Sequence, residues 1–233
     1  MSKPLLGVLG GMGPLATVDF LHKLIEEMPA ASDQEHVPTI VWNVPQIPDR
    51  QQALAGTGIS PLPAMCAGIT RLVAAGATRI AIPCNTAHLW FDQLAAHSAV
   101  PIEHIVDATL HELGDAKNAV GLIATPATQA SGLYQQRFEA AGIVCLCASD
   151  AELETLFTPG CHAVKRGAVE AGGRLFEALA DALLARGAQR LVLACTEVPI
   201  ALSRIASRHL PISIDTNRAL ARACVDYWQQ ARR

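Results

Sequence analysis

Two ten-residue stretches of this chain repeat one pattern. Residues 75–84 read Ala-Gly-Ala-Thr-Arg-Ile-Ala-Ile-Pro-Cys, and residues 186–195 read Arg-Gly-Ala-Gln-Arg-Leu-Val-Leu-Ala-Cys. Gly76, Ala77, Arg79 and Cys84 recur as Gly187, Ala188, Arg190 and Cys195 at a constant offset of 111 residues. A second echo relates Gly7-Val8-Leu9-Gly10 to Gly121-Leu122-Ile123-Ala124, at an offset of 114. Each Cys closes a short apolar run and precedes polar residues, Asn85-Thr86 in one copy and Thr196-Glu197 in the other. Such duplication points to two similar lobes, each presenting one thiol at an equivalent place.

The length of 233 residues suits one large α/β domain or two lobes of about 100 residues each, long enough to bury a core. Short apolar runs alternate with amphipathic helical stretches, which predicts an α/β fold with parallel sheets covered by helices. The strands are expected at Leu5–Leu9, Thr39–Val44, Arg79–Pro83, Ile102–Val106, Ala119–Ala124, Ile143–Cys147, Leu191–Ala194 and Ile212–Ile214. Their continuous apolar character suits strands buried on both faces. The main helices are expected at 14–28, 61–75, 86–96, 108–113, 127–141, 151–156, 172–186, 197–208 and 217–231.

A net charge of −3 offers no basic excess to neutralise phosphates, which argues against a nucleic-acid partner. No apolar run is long enough to span a bilayer, and the amino terminus carries no charged-then-apolar leader, so neither a membrane nor export is expected. Seven cysteines, an odd number in a chain too large to need stapling, read as reduced thiols of a cytoplasmic protein.

In parallel sheets, ligands collect beyond the carboxyl ends of the strands. Cys84 and Cys195 fall at such ends, just before helices that Asn85 or Thr86 and Thr196 can cap. The positive end of a helix dipole would favour the thiolate there, which separates these two thiols from the other five. Cys145 and Cys147 share one face of a strand and, with Cys161-His162, could form a metal site, but no second Cys-rich knuckle completes it. No metal is therefore expected. The Gly10-Gly11-Met12-Gly13-Pro14 loop matches neither dinucleotide nor phosphate-loop spacing. Its backbone N–H groups suit a small carboxylate. Arg50 beyond a strand end, and Lys165 in an expected loop, could supply positive charge for an anionic substrate. His88, one turn after Cys84, reads as a supporting group rather than a base.

Taken in order, Gly10-Gly11-Met12-Gly13-Pro14-Leu15-Ala16-Thr17, Pro48-Asp49-Arg50, Cys84-Asn85-Thr86-Ala87-His88, Ala124-Thr125 with Thr128, Ser131 and Tyr134, Cys195-Thr196-Glu197 and Asp215-Thr216 resemble the aspartate/glutamate racemase superfamily, and more closely its aspartate racemase branch. That resemblance implies two pseudo-symmetric α/β lobes with the active site in the cleft between them. One lobe would comprise residues 1–100 and 213–233 and carry Cys84; the other, 101–212, would carry Cys195. It implies racemisation of an amino acid, aspartate first and glutamate or others beside it, with no cofactor and with Cys84 and Cys195 as the acid/base pair. Met12, Asn85, Thr86, Thr128 and Thr196 would line the site, and Arg50 and Lys165 would grip a side-chain carboxylate. The partner is thus a small amino acid or dicarboxylate, and homodimers are common in the family. Ala194 and Ala127 stand where the family has glycines, and its late histidine is absent from Asp215–Ala221.

Two other readings fit the same residues. A maleate cis–trans isomerase-like enzyme also uses two cysteines, and a noncatalytic binding module for small carboxylates could use the same lobes.

Overall fold

A computed structural model of the protein describes residues 4–114 and 118–232. Met1–Lys3 and Arg233, at the outer limits of the first expected lobe, lie outside them. The chain divides into two compact units, 1–108 with 217–233, and 109–216.

The first unit contains β1 (Leu6–Gly10), α1 (Pro14–Glu27), β2 (Thr39–Asn43), α2 (Arg50–Leu54), α3 (Leu62–Ala74), β3 (Arg79–Ala81), α4 (Phe91–His97) and the start of α5 (Ile105–Leu113). Its parallel sheet has the order β2-β1-β3. The second unit contains β4 (Val120–Ala124), α6 (Pro126–Ala130), α7 (Gln135–Ala140), β5 (Cys145–Cys147), α8 (Asp150–Glu152), α9 (Thr158–Lys165), α10 (Val169–Ala185), β6 (Arg190–Ala194), α11 (Glu197–Arg204) and β7 (Ser213–Asp215). Its parallel sheet has the order β5-β4-β6-β7. The final helix, α12 (Thr216–Ala231), returns to the first unit. There Asn217 donates to the Ala16 carbonyl and the Asp19 carboxylate, while Arg218 and Arg222 reach Glu27.

The repeat seen in the sequence is a repeat of packing. A Cβ placed on Gly7 would lie 2.8 Å from Ala77 Cβ, 2.8 Å from Ile80 Cδ1 and 3.3 Å from Leu72 Cβ. On Gly121 it would lie 3.2 Å from Ala188 Cβ, 2.9 Å from Leu191 Cδ2 and 3.0 Å from Leu183 Cβ. The same trio, displaced by 111 residues, closes on the same strand glycine. Each unit therefore lets a helix and the turn after it come up against its first strand where any side chain would be overpacked. Gly76 and Gly187 make the two helix-to-strand turns at φ +98° and +103°, a region that glycine enters without a steric penalty.

Each unit has its own apolar core. Leu9, Met65, Ile69, Leu72, Ile80 and Ile82 pack together in the first. Ile123, Phe157, Phe176, Leu183, Leu191 and Leu193 do so in the second.

Several expectations need correction. Ile102–Val106 is not a strand. Ile102 makes a single bridge to Ile80, after which α5 begins at Ile105. The stretch 127–141 is two helices, interrupted by Gly132 at φ +72°. Residues 101–108 belong to the first unit and 213–216 to the second, because Ser213–Asp215 extend the second sheet alongside β6. Lys165 is not in a loop but is the last residue of α9. Pro159 and Gly160 disguise that helix in the sequence. Proline is tolerated in a first turn, and Gly160 is required because a Cβ there would lie 2.7 Å from the Phe176 ring.

Candidate active site

Each unit assembles expected site residues at the carboxyl ends of its strands. In the first, β1 leads into the Gly10–Gly13 turn and β3 leads through Ile82-Pro83 to Cys84. Gly11 sits at φ +99°, and its N–H donates to Thr17 Oγ1 at 2.9 Å. One amide expected to greet a carboxylate is thus occupied by a side chain of α1. Met12, Ile47 and Cys84 join one apolar cluster, with Met12 and Cys84 both buried.

Cys84 is followed by a 3₁₀ turn, Thr86–Trp90, rather than directly by an α-helix. Asn85 occupies the cap position without a side-chain cap bond, which differs from the sequence expectation. Asn85 and Thr86 are both buried. His88 fixes this turn from beneath. Its Nε2 accepts the Ile105 N–H at 3.2 Å and lies 3.4 Å from the Glu103 carbonyl, while Nδ1 lies 2.9 Å from the Cys84 carbonyl. His88 is therefore a brace on the backbone of Cys84.

Arg50 opens α2, whose N-cap Asp49 accepts from the Gln51 and Gln52 amides. Arg50 Nη1 donates to the carbonyls of Ile47 and Pro48, at 3.2 and 3.0 Å. Its Nε is buried with no hydrogen-bond partner. A buried guanidinium N–H left unpaired is a donor ready for an anion. The neighbouring Gln51 Nε2 donates to Thr86 Oγ1 at 3.4 Å, which links the start of α2 to the turn after Cys84.

In the second unit, Ala124 of β4 pairs with Ala194 of β6, so the Thr125–Thr128 turn and Cys195 leave neighbouring strand ends. Thr125 caps α6: its Oγ1 accepts the Thr128 N–H at 3.2 Å and donates to Thr128 Oγ1 at 2.9 Å. Thr128 itself is fully buried. Cys195 Sγ donates to Glu197 Oε2 at 3.1 Å, and Thr196 Oγ1 donates to the same oxygen at 3.2 Å. Thr196 holds the N-cap position of α11 but makes no cap bond with its side chain, because the hydroxyl is turned to Glu197.

Cys161 Sγ lies 3.9 Å from Cys195 Sγ. Lys165, exposed at the end of α9, is one helical turn further along the face that carries Cys161. The hydrogen bond with Cys161, burial and the negative charge of Glu197 push the Cys195 thiol well above the ordinary cysteine range. This reverses the sequence expectation for that residue. The neighbouring Cys161, the desolvation and the Glu197 carboxylate outweigh any favour from the start of α11.

Cys161 and Glu197 are the two neighbours that the sequence did not single out for the site. Glu197 could have been suspected from its place two residues after Cys195, but nothing along the chain relates Cys161 to it. Cys161 sits beside Cys195 rather than completing a site with Cys145 and Cys147. Among the described residues, no group of three or more His, Cys, Asp and Glu side chains is placed to hold a metal ion. No described helix is long and apolar enough to cross a membrane.

Comparison with known proteins agrees with this architecture. The family model described as Asp/Glu/Hydantoin racemase matches residues 9–224. The aspartate racemase of Picrophilus torridus is 30% identical and superposes with a TM-score of 0.87, over 97% of this chain and 94% of that one. A glutamate racemase from Francisella tularensis, crystallised with D-glutamate, is 20% identical with a TM-score of 0.73, covering 100% of this chain and 83% of its own, and shares the fold. A broad-specificity amino-acid racemase of Bacillus subtilis (strain 168) is 31% identical over 137 residues, which span 57% of this chain and 59% of that protein's length. With nearly its whole length matched, the chain belongs to the Asp/Glu/Hydantoin racemase family.

Proposed function

We propose that the protein is a cofactor-independent amino-acid racemase acting on aspartate, with Cys84 and Cys195 exchanging protons at opposite faces of Cα. The observation that carries this reading is the duplicated strand-end thiol. Cys84 and Cys195 follow equivalent strands, β3 and β6, of two like-built parallel sheets. Racemisation needs a base on one face of the stereocentre and an acid on the other, and two equivalent thiols meet that need.

The polar environment of Cys195 sets the order of events. With its S–H on Glu197 and its ionisation opposed, Cys195 rests as the neutral acid. Turnover from that state takes the Cα proton at Cys84 as thiolate and returns a proton from Cys195. Cys84 is then neutral and Cys195 charged, ready for the reverse reaction. The two protonation states alternate as the substrate is turned over in one direction and then the other.

The carbanion needs stabilisation at the α-carboxylate as charge moves onto it. Asn85, Thr86 and Thr128 are the side-chain donors assigned to this task and Thr196, whose hydroxyl is given to Glu197, serves through its backbone N–H, with Met12 shaping the apolar wall. A donor held ready for developing charge contributes about 3 kcal/mol to such a step. Arg50, with its orphaned buried Nε, and Lys165 are assigned to the distal carboxylate. The Picrophilus relative, an aspartate racemase by name, supports aspartate over other acidic amino acids. The protein is read as cytoplasmic from its thiols and homodimeric by likeness to its family.

The test is incubation of the enzyme with L-aspartate in D₂O. Loss of optical activity together with deuterium at Cα is expected without added pyridoxal phosphate or metal. Retention of both the L configuration and the Cα proton, across acidic and neutral amino acids, would leave a binding module in its place.

A further inference from the structure

Cys145 and Cys147 take no part in the reading above, yet they form the best-developed thiol pair outside it. They lie on β5, an edge strand of the second sheet, opposite Val120 and Leu122 of β4. Side chains alternate along a strand, so Leu146 turns to the apolar core while both cysteines share the other face. Their sulfurs are 3.9 Å apart and both residues are only partly buried. Three neighbours mark Cys147. Gln135 Nε2 of α7 donates to its sulfur at 3.5 Å. Arg186, just past α10, donates to its carbonyl at 3.1 Å. Glu152 of α8 pairs with that guanidinium at 2.9 Å.

We propose that Cys145 and Cys147 form a peroxide-reactive dithiol, a modification site in which Cys147 takes the oxidant and Cys145 resolves it as a disulfide within β5. The two thiols have unlike characters. A hydrogen bond from Cys145, helped by the one from Gln135 and by the charge of Arg186, brings Cys147 down to about 7 against the pull of burial. The hydrogen bond to Cys147, with burial, pushes Cys145 far up. An acidic, accessible thiol beside a resolving neighbour is the arrangement that peroxide-sensitive cysteines share.

The chemistry balances with a hydroperoxide as oxidant. The Cys147 thiolate attacks a peroxide oxygen. An S–O bond forms, the O–O bond breaks and hydroxide leaves, so sulfur is oxidised to sulfenic acid and peroxide is reduced. The Cys145 sulfur then attacks the Cys147 sulfur. The S–S bond forms, the S–O bond breaks and water departs with the Cys145 proton. Residues two apart on a strand place their Cα atoms, and likewise their same-face Cβ atoms, about 6.5 Å apart, beyond the roughly 4 Å between Cβ atoms that a disulfide needs, so the bond closes only as this edge strand bends locally. The bond should therefore be strained and readily reduced by dithiothreitol.

Hydrogen peroxide is the probe, applied to the full-length protein. Free thiols are then alkylated and peptides mapped by mass spectrometry. The 145–147 segment is expected to lose two hydrogens, to escape alkylation and to recover with dithiothreitol. Alkylation of untreated protein at neutral pH should be about tenfold faster at Cys147 than at Cys66, which is partly buried and whose thiol burial pushes up. Cys147→Ser should abolish oxidation of the segment, and Cys145→Ser should leave a sulfenic acid at position 147 that dimedone captures. Circular dichroism matching the wild type confirms that both variants fold. An unmodified 145–147 segment under conditions that oxidise Cys66 or link Cys161 to Cys195 would overturn the proposal. So would a disulfide only between molecules, or dimedone capture at Cys145 in the Cys147→Ser variant at the wild-type rate.

Discussion

Cys195 gives its S–H to Glu197 Oε2 across 3.1 Å, and the Cys161 sulfur stands 3.9 Å from the same thiol. The neighbouring Cys161, burial and the charge of Glu197 together oppose a thiolate at Cys195. Glu197→Gln removes the negative charge and should move Cys195 ionisation to lower pH. The pH dependence of Cys195 alkylation, followed by mass spectrometry, reads this directly. An unchanged profile would mean that Glu197 does not set the acidity of Cys195.

Arg50 should act on acidic substrates above all. In Arg50→Leu the orphaned donor is lost, and about a tenfold to hundredfold loss of kcat/KM is expected for aspartate, with a smaller effect on alanine. Equal losses for both amino acids, measured by chiral chromatography, would remove Arg50 from recognition of the side chain.

Gly11→Ala tests the turn after β1. A Cβ there would lie 2.3 Å from the Val44 carbonyl carbon, at a φ of +99° that alanine avoids. Strain and overlap together should lower stability by at least about 2 kcal/mol in urea titrations. Gly56→Ala is the control: its φ is also positive, at +71°, but its Cβ would meet nothing within 4 Å. A comparable loss in both would assign the effect to φ alone.

Glu27 makes a pH-dependent tie between α1 and α12. Burial pushes its carboxyl up, but hydrogen bonds from Arg222 and Arg218, and their charges, more than reverse this and leave it below the usual carboxylate range. A depressed folded-state pKa stabilises the fold above the unfolded value, and that contribution fades as pH falls through the folded one. Glu27→Gln should therefore lose about 1–2 kcal/mol at neutral pH, with the difference from wild type shrinking in acid. Thermal melts at both conditions check it, and a difference that persists in acid would assign the loss to packing.

Most strands were legible because parallel strands buried on both faces must be continuously apolar, as β1 and β4 are. The duplicated glycines and cysteines were legible because one packing solution was used twice. The sequence misled where local signals contradicted tertiary packing. Pro159-Gly160 reads as a loop, but Phe176 needs the glycine and α9 accepts the proline in its first turn. Ile102–Val106 reads as a strand, but Ile105 gives its N–H to His88 and starts a helix. The companionship of Cys161 and Cys195 could not be read at all. The two residues are 34 apart in sequence and meet because α9 packs against α10 and α11, the latter starting just after Cys195.

The most direct measurement follows Cα hydrogen exchange in D₂O for each aspartate enantiomer with wild-type enzyme, Cys84→Ala and Cys195→Ala. Wild type should racemise both enantiomers. Each variant should lose racemisation by at least about a hundredfold. Exchange should survive for one enantiomer only, and that enantiomer should be opposite for the two variants. Full racemisation by either variant, or exchange of the same enantiomer in both, would contradict proton transfer by the two thiols.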